Sequence, residues 1–412
     1  MKVALINIGN ELLSGVTVNT NASWMGQQLM EIGHPVQTIY TIGDSRNEIL
    51  SALNDLWKNY PIILITGGLG PTHDDITVAA MAKFFDTELV FHQPTFDALK
   101  ERLESRDIPI SERHEAQAML PRNAEVLINN AGTAPALYFC ENDKHVYCLP
   151  GVPHEMRRLM REHILPQLER LSPVRFQRTL LRTIGYPESK LYDTVKHIVE
   201  SLPAGYVAFL PQIYGVDIRL QTDDTKKENR EHLREVLEKI KARLGNAIYA
   251  EKDIPLAQAV GNLLREQNAT LATAESCTGG LMGDMITDIS GSSDYFFQGF
   301  VTYSNQAKID TLGVPENLIK KHGAVSEDVA RSMATGAMEK SEVHTALSTT
   351  GIAGPTGGTA DKPVGLVYIG CVVGDKIQVK RYQFSDDRRL NKQRTVYAAL
   401  NLLRLELFAE QK

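Results

Sequence analysis

Hydrophobic and polar positions along this chain keep switching between two periods. Val3 to Ile8 is a short, β-branched apolar run and reads as a buried strand. Asn19 to Ile32 places Trp24, Met25, Leu29 and Ile32 at three-to-four spacing, the stripe of an amphipathic helix. The exchange continues with a strand at Val36 to Ile42, a helix at Glu48 to Trp57 and an apolar strand at Ile62 to Thr66. Such alternation predicts crossover units and a mainly parallel sheet covered on both faces. Leu137 to Leu149 differs: two short runs flank the polar Glu141, Asn142, Asp143 and Lys144, which predicts a hairpin.

Leu171-Ser172-Pro173 reads as a boundary. A strand, a helix, two strands and a charged helix from Lys226 to Leu244 follow, ending at Gly245. The remainder alternates again, with a helix at Leu256 to Glu266, a strand at Thr270 to Ala274, a helix at Ser326 to Lys340 and a strand at Val343 to Leu347. Two strands, Gly365 to Val373 and Lys376 to Phe384, flank Gly374-Asp375, a hairpin signal. A last helix, Asp387 to Phe408, carries Leu400, Leu403 and Leu407 on one face. The expected fold class is therefore α/β: two doubly wound α/β domains, 1–170 and 251–412, joined by a small α+β domain, 171–250.

A length of 412 residues suits two or three domains. With 44 Lys and Arg against 50 Asp and Glu, the formal charge is −6, a poor balance for a dedicated nucleic-acid binder. The 43% apolar content excludes global disorder. The four cysteines, Cys140, Cys148, Cys277 and Cys371, form no CxxC pair and suit reduced thiols. The opening MKVALINIGNELL lacks a plausible cleavage site and reads as the first strand rather than a signal peptide. No apolar run approaches the ~18 residues of a membrane helix, so a cytoplasmic protein with no membrane partner is expected.

Two stretches carry candidate chemistry. The first is Thr66-Gly67-Gly68-Leu69-Gly70-Pro71-Thr72-His73-Asp74-Asp75, which follows a strand. Glycine-rich turns let backbone N–H groups close on anionic oxygens, and ligands of open parallel sheets gather beyond strand carboxyl ends. Carboxylates beside such a cradle call for a divalent cation, although Asp74 and Asp75 read equally well as helix caps. His114-Glu115 and His154-Glu155 do not make a zinc-protease helix, because Ala118 and Arg158 stand where the second histidine belongs.

The second stretch is Ala274-Glu275-Ser276-Cys277-Thr278-Gly279-Gly280, at a strand-to-helix junction where free N–H groups and the helix dipole stabilise an oxyanion. Serine needs a base, and Tyr303-Ser304-Asn305-Gln306-Ala307-Lys308 offers a lysine, the alternative to a Ser–His–Asp triad. The run Ser348-Thr349-Thr350-Gly351-Ile352-Ala353-Gly354-Pro355-Thr356-Gly357-Gly358 suits an anionic ligand. From the residues alone, Ser276 also reads as a cap, Lys308 as a solvated charge and the glycine run as a surface turn. Cys277 is a rival nucleophile, since helix starts stabilise thiolates.

These motifs resemble the CinA family. The amino-terminal part of the resemblance rests on Gly9-Asn10-Glu11-Leu12-Leu13-Ser14-Gly15, the Thr66–Asp75 loop, Asn130-Ala131-Gly132-Thr133-Ala134-Pro135 and Leu149-Pro150-Gly151-Val152-Pro153-His154-Glu155-Met156. The carboxy-terminal part rests on AESCTGG, VTYSNQAK and TTGIAGPTGG. Asn10 and Ala136 depart from residues common in the family. The resemblance implies a molybdopterin-biosynthesis-like domain acting as a metal-dependent ADP-ribose pyrophosphatase. Asp44, Asp74 and Asp75 would be its metal-binding acids, Glu11 a weaker fourth, and Gly68, Gly70 and Thr72 part of its nucleotide site. It implies a KH-like middle domain, although Gly185, Gly205, Gly215 and Gly245 never give the G-x-x-G of an RNA-gripping KH loop.

For the last domain the resemblance implies a nicotinamide mononucleotide deamidase that needs no cofactor. Ser276 would be the nucleophile and Lys308 its base, with Tyr303 also in the catalytic set. The N–H groups of Cys277 and Thr278 would be oxyanion donors, with Gly279, Asn305, Thr350, Gly351 and Gly354 near the substrate. The expected partners are nicotinamide mononucleotide, ADP-ribose and a second copy in a homodimer, with no direct nucleic-acid contact. Two other readings stay open: a deamidase whose first domain only binds a pterin or nucleotide, and an interaction protein of competence or DNA repair.

Overall fold

The computed structural model describes every residue except 71–74, 106, 172–175, 204, 205, 411 and 412, together with all side chains but those of 112, 113 and 410. Thr72 and Asp74 therefore lie outside the described residues. The chain divides into two compact units, Met1–Gln177 with Asp223–Arg230, and Arg178–Thr222 with Glu231–Lys412.

The first unit contains β1 (Val3–Ile8), β2 (Val36–Ile42), β3 (Ile62–Thr66), β4 (Leu89–Phe91), β5 (Met119–Pro121), β6 (Glu125–Leu127), β7 (Ala136–Glu141) and β8 (Lys144–Leu149). Six strands form one sheet in the order β2-β1-β3-β8-β7-β6, and β4 pairs with β5 apart from it. Strands β2, β1, β3 and β8 run parallel, while β7 pairs antiparallel with β8 and β6 antiparallel with β7. The unbroken apolar runs of β1 and β3 follow from burial on both faces. Ala4, Ile6 and Ile8 pack with Ile63, Ile65, Ile49 and Leu53 on one face. Val3 and Leu5 pack with Leu64, Met25 and Leu29 on the other.

The expected hairpin is tighter than its polar stretch predicts. Glu141 pairs with Lys144, leaving a two-residue turn in which Asn142 and Asp143 both take positive φ, 53° and 58°. The helical segment Pro153–Leu171 passes through a π turn at Met160–Ile164. Pro166 follows directly, and its missing N–H breaks the regular ladder there.

The second unit begins with β9 (Phe176–Thr183), β10 (Val207–Pro211), β11 (Val216–Asp223) and β12 (Ile248–Ala250), in the order β10-β11-β9-β12. Leu181, Ile218 and Leu220 pack there against Leu191 and Val195 of helix Glu188–Val199 and Leu233 and Ile240 of helix Lys227–Leu244. The strands β13 (Leu271–Glu275), β14 (Phe296–Val301), β15 (Thr345–Gly351), β16 (Leu366–Val373) and β17 (Lys376–Gln383) form a second large sheet, ordered β14-β13-β15-β16-β17. β14, β13 and β15 pair in parallel; β16 pairs antiparallel with β15, and β17 antiparallel with β16 across the Gly374-Asp375 turn. The architecture is thus mixed α/β in both large sheets. Helices Leu256–Glu266 and Arg388–Glu410 cover one face and helix Glu327–Ser341 the other.

β15 starts later and runs further than its apolar pattern predicts. Ser348, Thr349, Thr350 and Gly351 pair with Gly370, Ile369, Tyr368 and Val367 of β16, so they are strand and not loop. β-branched threonines suit that buried ladder. Helix Glu327–Ser341 is held very close to the end of helix Asn305–Leu312, where a Cβ on Gly336 would collide with the Leu312 carbonyl oxygen. Backbone cannot yield as a side chain can. Gly336→Ala is expected to lower unfolding stability by about 1–3 kcal/mol, read as a reduced urea midpoint.

Candidate active site

Strand register builds the carboxy-terminal site. Glu275 ends β13 opposite Val301, the end of β14. Ser276 and Thr302 therefore leave the sheet side by side, and the Thr302 N–H donates to the Glu275 carbonyl at 2.9 Å. Ser304 caps helix Asn305–Leu312 by accepting from Ala307 N at 3.0 Å, and the first turn of that helix brings Lys308 back toward Ser276. Lys308 Nζ lies 3.0 Å from Ser276 Oγ. It also donates to the carbonyl oxygens of Thr302 at 2.8 Å and Tyr303 at 3.3 Å.

The lysine is 1% exposed, and burial holds its amine below the usual lysine range; the nearby Cys277 thiol offsets this only in part. Removing an ammonium from water without a carboxylate partner favours the neutral amine. Ser304 O is a third carbonyl at 3.5 Å; a neutral lysine with its two hydrogens on the nearer carbonyls of Thr302 and Tyr303 would turn its lone pair to the serine hydroxyl. Ser276, 8% exposed, is ordered from its other side by its own N–H, which donates to Thr349 O at 2.9 Å.

The helix start is not where the sequence pattern predicts. Helix Leu281–Thr287 begins five residues beyond Ser276, and its free N–H groups are already taken. Glu275 accepts from Gly280 and Met282 at 3.0 Å and from Gly283 at 2.9 Å. Among the described residues, by contrast, the N–H groups of Cys277 and Thr278 pair with no backbone carbonyl. The glutamate orders the loop by consuming the helix end and leaves those two donors beside Ser276. No reading of the sequence assigned Glu275 this part, yet a carboxylate before a glycine pair and a helix is a legible capping signal.

The other expected residues separate. Tyr303 is 62% exposed, and its hydroxyl accepts from Arg388 Nη2 at 3.0 Å, while Arg388 Nη1 donates to Gly354 O at 3.0 Å. Arg388 thus joins Tyr303 to the Gly354 turn. A Cβ on Gly279 would lie 3.7 Å from Lys392 Nζ, so a second cation from the same helix stands over the serine loop. Sequence reading missed both, although two cations four apart at the start of a helix oppose its dipole and mark a position kept for another reason. Asn305 is exposed at its helix start and Gly351 ends β15. Thr350 is fully buried and donates its hydroxyl hydrogen to Ala324 O at 2.8 Å.

Cys277 does not suit the role of rival nucleophile. It is buried, and removal from water pushes its thiol up to about 12, the reverse of what a nucleophilic thiolate needs.

In the first unit, Ile8, Gly9, Glu11, Asp44, Gly67, Gly68, Gly70, Asp75 and Glu155 line one cavity of about 490 Å3 at the carboxyl ends of β1, β3 and β8. Asp44 accepts from Asn10 N at 2.9 Å. Close packing explains two of the glycines. A Cβ on Gly70 would sit 2.7 Å from Asp75 Oδ2, and one on Gly132 would overlap the Glu155 carboxylate. Glu155, held by Asn129 Nδ2 at 2.6 Å, is a further acid that sequence reading passed over. Ala136 points into the core with Val3 and Leu5 and does not narrow this cavity. Among the described residues no three His, Cys, Asp or Glu side chains converge as a metal centre.

Three family matches tile the chain: a probable molybdopterin binding domain over residues 4–170, a damage-inducible protein CinA KH domain over 178–250 and a CinA C-terminal domain over 253–407. The chain is 42% identical over 417 residues to a CinA-like protein of Chloroherpeton thalassium, covering 98% of this chain and 99% of that one. It is 39% identical over 411 residues to a putative competence-damage inducible protein of Caldicellulosiruptor bescii, covering 99% of each. The solved structure of the competence/damage inducible protein CihA from Agrobacterium tumefaciens matches 37% of this chain and 93% of its own at 40% identity, with a TM-score of 0.36. This chain belongs to the CinA family. No helix among the described residues is long and apolar enough to cross a membrane.

The two thiol environments give a direct check. Iodoacetamide at neutral pH is expected to modify exposed Cys140 and leave Cys277 unmodified in the native protein, as read by peptide mass mapping.

Proposed function

We propose that the second unit is a serine–lysine amidohydrolase that converts nicotinamide mononucleotide to nicotinic acid mononucleotide and ammonia. The observation that carries this reading is the 3.0 Å approach of a buried, neutral-favouring amine to a serine hydroxyl beside two N–H groups that, among the described residues, no backbone carbonyl takes. Lys308 takes the Ser276 proton as Oγ bonds to the carboxamide carbon. The N–H groups of Cys277 and Thr278 receive the developing oxyanion. Lys308 returns the proton to the departing nitrogen, so ammonia leaves and an ester on Ser276 remains. Water, deprotonated by the same amine, then attacks that ester; the acid is released and the Ser276 hydroxyl is restored. Arg388 and Lys392 give the mouth of this loop the positive charge that a nucleotide phosphate requires.

Ser276→Ala is expected to lower ammonia release from nicotinamide mononucleotide by roughly 10³-fold or more with substrate still bound, and Lys308→Met by a similar factor. Because the base acts when uncharged, turnover rises with pH through the Lys308 titration, at a pH below the ordinary lysine range. Unchanged turnover in either variant removes that residue from the mechanism.

For the first unit we propose hydrolysis of ADP-ribose at the pyrophosphate. The supporting observation is that Glu11, Asp44 and Asp75 share one cavity with the glycines of the β3 loop. Magnesium is commonly held by one or two carboxylates together with substrate phosphates. Asp44 and Asp75 fit that donor set, and an ion bound there would neutralise pyrophosphate charge. Asp75→Asn, which keeps the packing against Gly70, is expected to reduce metal-stimulated ADP-ribose hydrolysis roughly 10²-fold. Equal hydrolysis with and without divalent cation, or none at all, favours a first unit that only binds its ligand. We place the enzyme in the cytoplasm as a homodimer, without a nucleic-acid partner.

A further inference from the structure

Within the second unit, a cavity of about 570 Å3 lies between the middle sheet and the carboxy-terminal one, and the chemistry above does not use it. Its walls are aromatic. The Tyr214 and Tyr397 rings meet at 4.0 Å between centroids with a tilt of 32°, and Tyr382 stacks on Phe384 at 5.6 Å and 12°. All four are only partly buried.

Beside the exposed carboxylate of Glu188 and the amides of Gln212, Gln383 and Asn401, the polar groups that bear on a ligand here divide into two kinds. The Tyr214 hydroxyl is engaged with Tyr249 and Arg182, and Arg182 is neutralised by Asp217 and Asp253. Arg394 is different: half-buried in the cavity wall, it has no ion-pair or hydrogen-bond partner among the described residues. The hydroxyls of Tyr382 and Tyr397 likewise have no described partner, and burial pushes both phenols up, so they stay protonated donors. An unpaired guanidinium, two free hydroxyl donors and several flat apolar walls in one space are complementary to a flat, polar-edged ring that carries an anion. The volume falls within the range of small-molecule sites.

We propose that this cavity is a nucleotide-binding site separate from both candidate active sites, in which a nucleobase lies against the tyrosine rings and a phosphate pairs with Arg394. The helix that supplies Arg394 and Tyr397 is the one that supplies Arg388 and Lys392 to the serine loop.

The test is hydrogen exchange on the full chain with adenosine monophosphate as the probe, at about 1 mM. The expected result is slowed exchange in residues 210–216 and 394–401, segments that line the cavity and exclude Arg388 and Lys392 of the serine loop. Arg394→Ala should weaken that protection by about tenfold or more in ligand concentration, as loss of a charged phosphate contact would. Tyr397→Leu should weaken it as well, while Ser276→Ala leaves it unchanged. Adenosine lacks the phosphate and should protect weakly and equally in the wild type and Arg394→Ala. Thermal melting of each variant without ligand establishes that it is folded. Absence of protection in these segments, protection only at the glycine loop or the serine loop, or equal protection in a folded Arg394→Ala would overturn the proposal.

Discussion

An amine buried without a carboxylate is the constraint on which the carboxy-terminal site depends. Ordinarily such a group is expelled to water or paired. Here Lys308 is buried with carbonyl oxygens and the Ser276 hydroxyl as its hydrogen-bond partners. Removal from water outweighs what those acceptors give the ammonium, so its amine is held below the usual lysine range. The rest of the site serves that arrangement. β13 and β14 end in register, the Ser304 cap starts a helix at the right place, and Glu275 absorbs the N–H groups of the next helix. Were Glu275 a direct partner of Lys308, its charge would favour the ammonium and remove the base. It turns instead into the helix end.

The two units use carboxylates for opposite ends. In the second, one carboxylate is spent on backbone donors and none among the described residues forms an ion pair with the lysine. In the first, Glu11, Asp44, Asp75 and Glu155 are gathered around one cavity, and glycines at 70 and 132 leave room for two of them. Those glycines are needed because the acid stands where a Cβ would be. A pyrophosphate is the kind of ligand for which such a concentration of acid makes sense when a cation comes with it.

Much of the fold was legible in the sequence, for identifiable reasons. β1 and β3 are apolar at every position because both faces are covered, and Val36 to Ile42 and Leu256 to Glu266 begin and end where the pattern does. Ser276 and Lys308 stood out by residue type and motif. Their contact was not readable, because β14 has exposed positions and gives no clean strand signal, and the register Glu275 to Val301 cannot be inferred without it. Arg388 and Lys392 were hidden in a helix recognised only by its leucines. The threonines of β15 were misassigned because hydroxyl-rich segments resemble loops, although β-branching suits them to a buried strand.

The central claim is a covalent one, so the most direct measurement is rapid acid quenching of enzyme turning over nicotinamide mononucleotide, followed by mass mapping of the peptide that contains residue 276. The account requires a transient ester on Ser276, present in the wild type and missing when Lys308 is replaced. An adduct on Cys277, or complete turnover with no adduct at any time point, would contradict it.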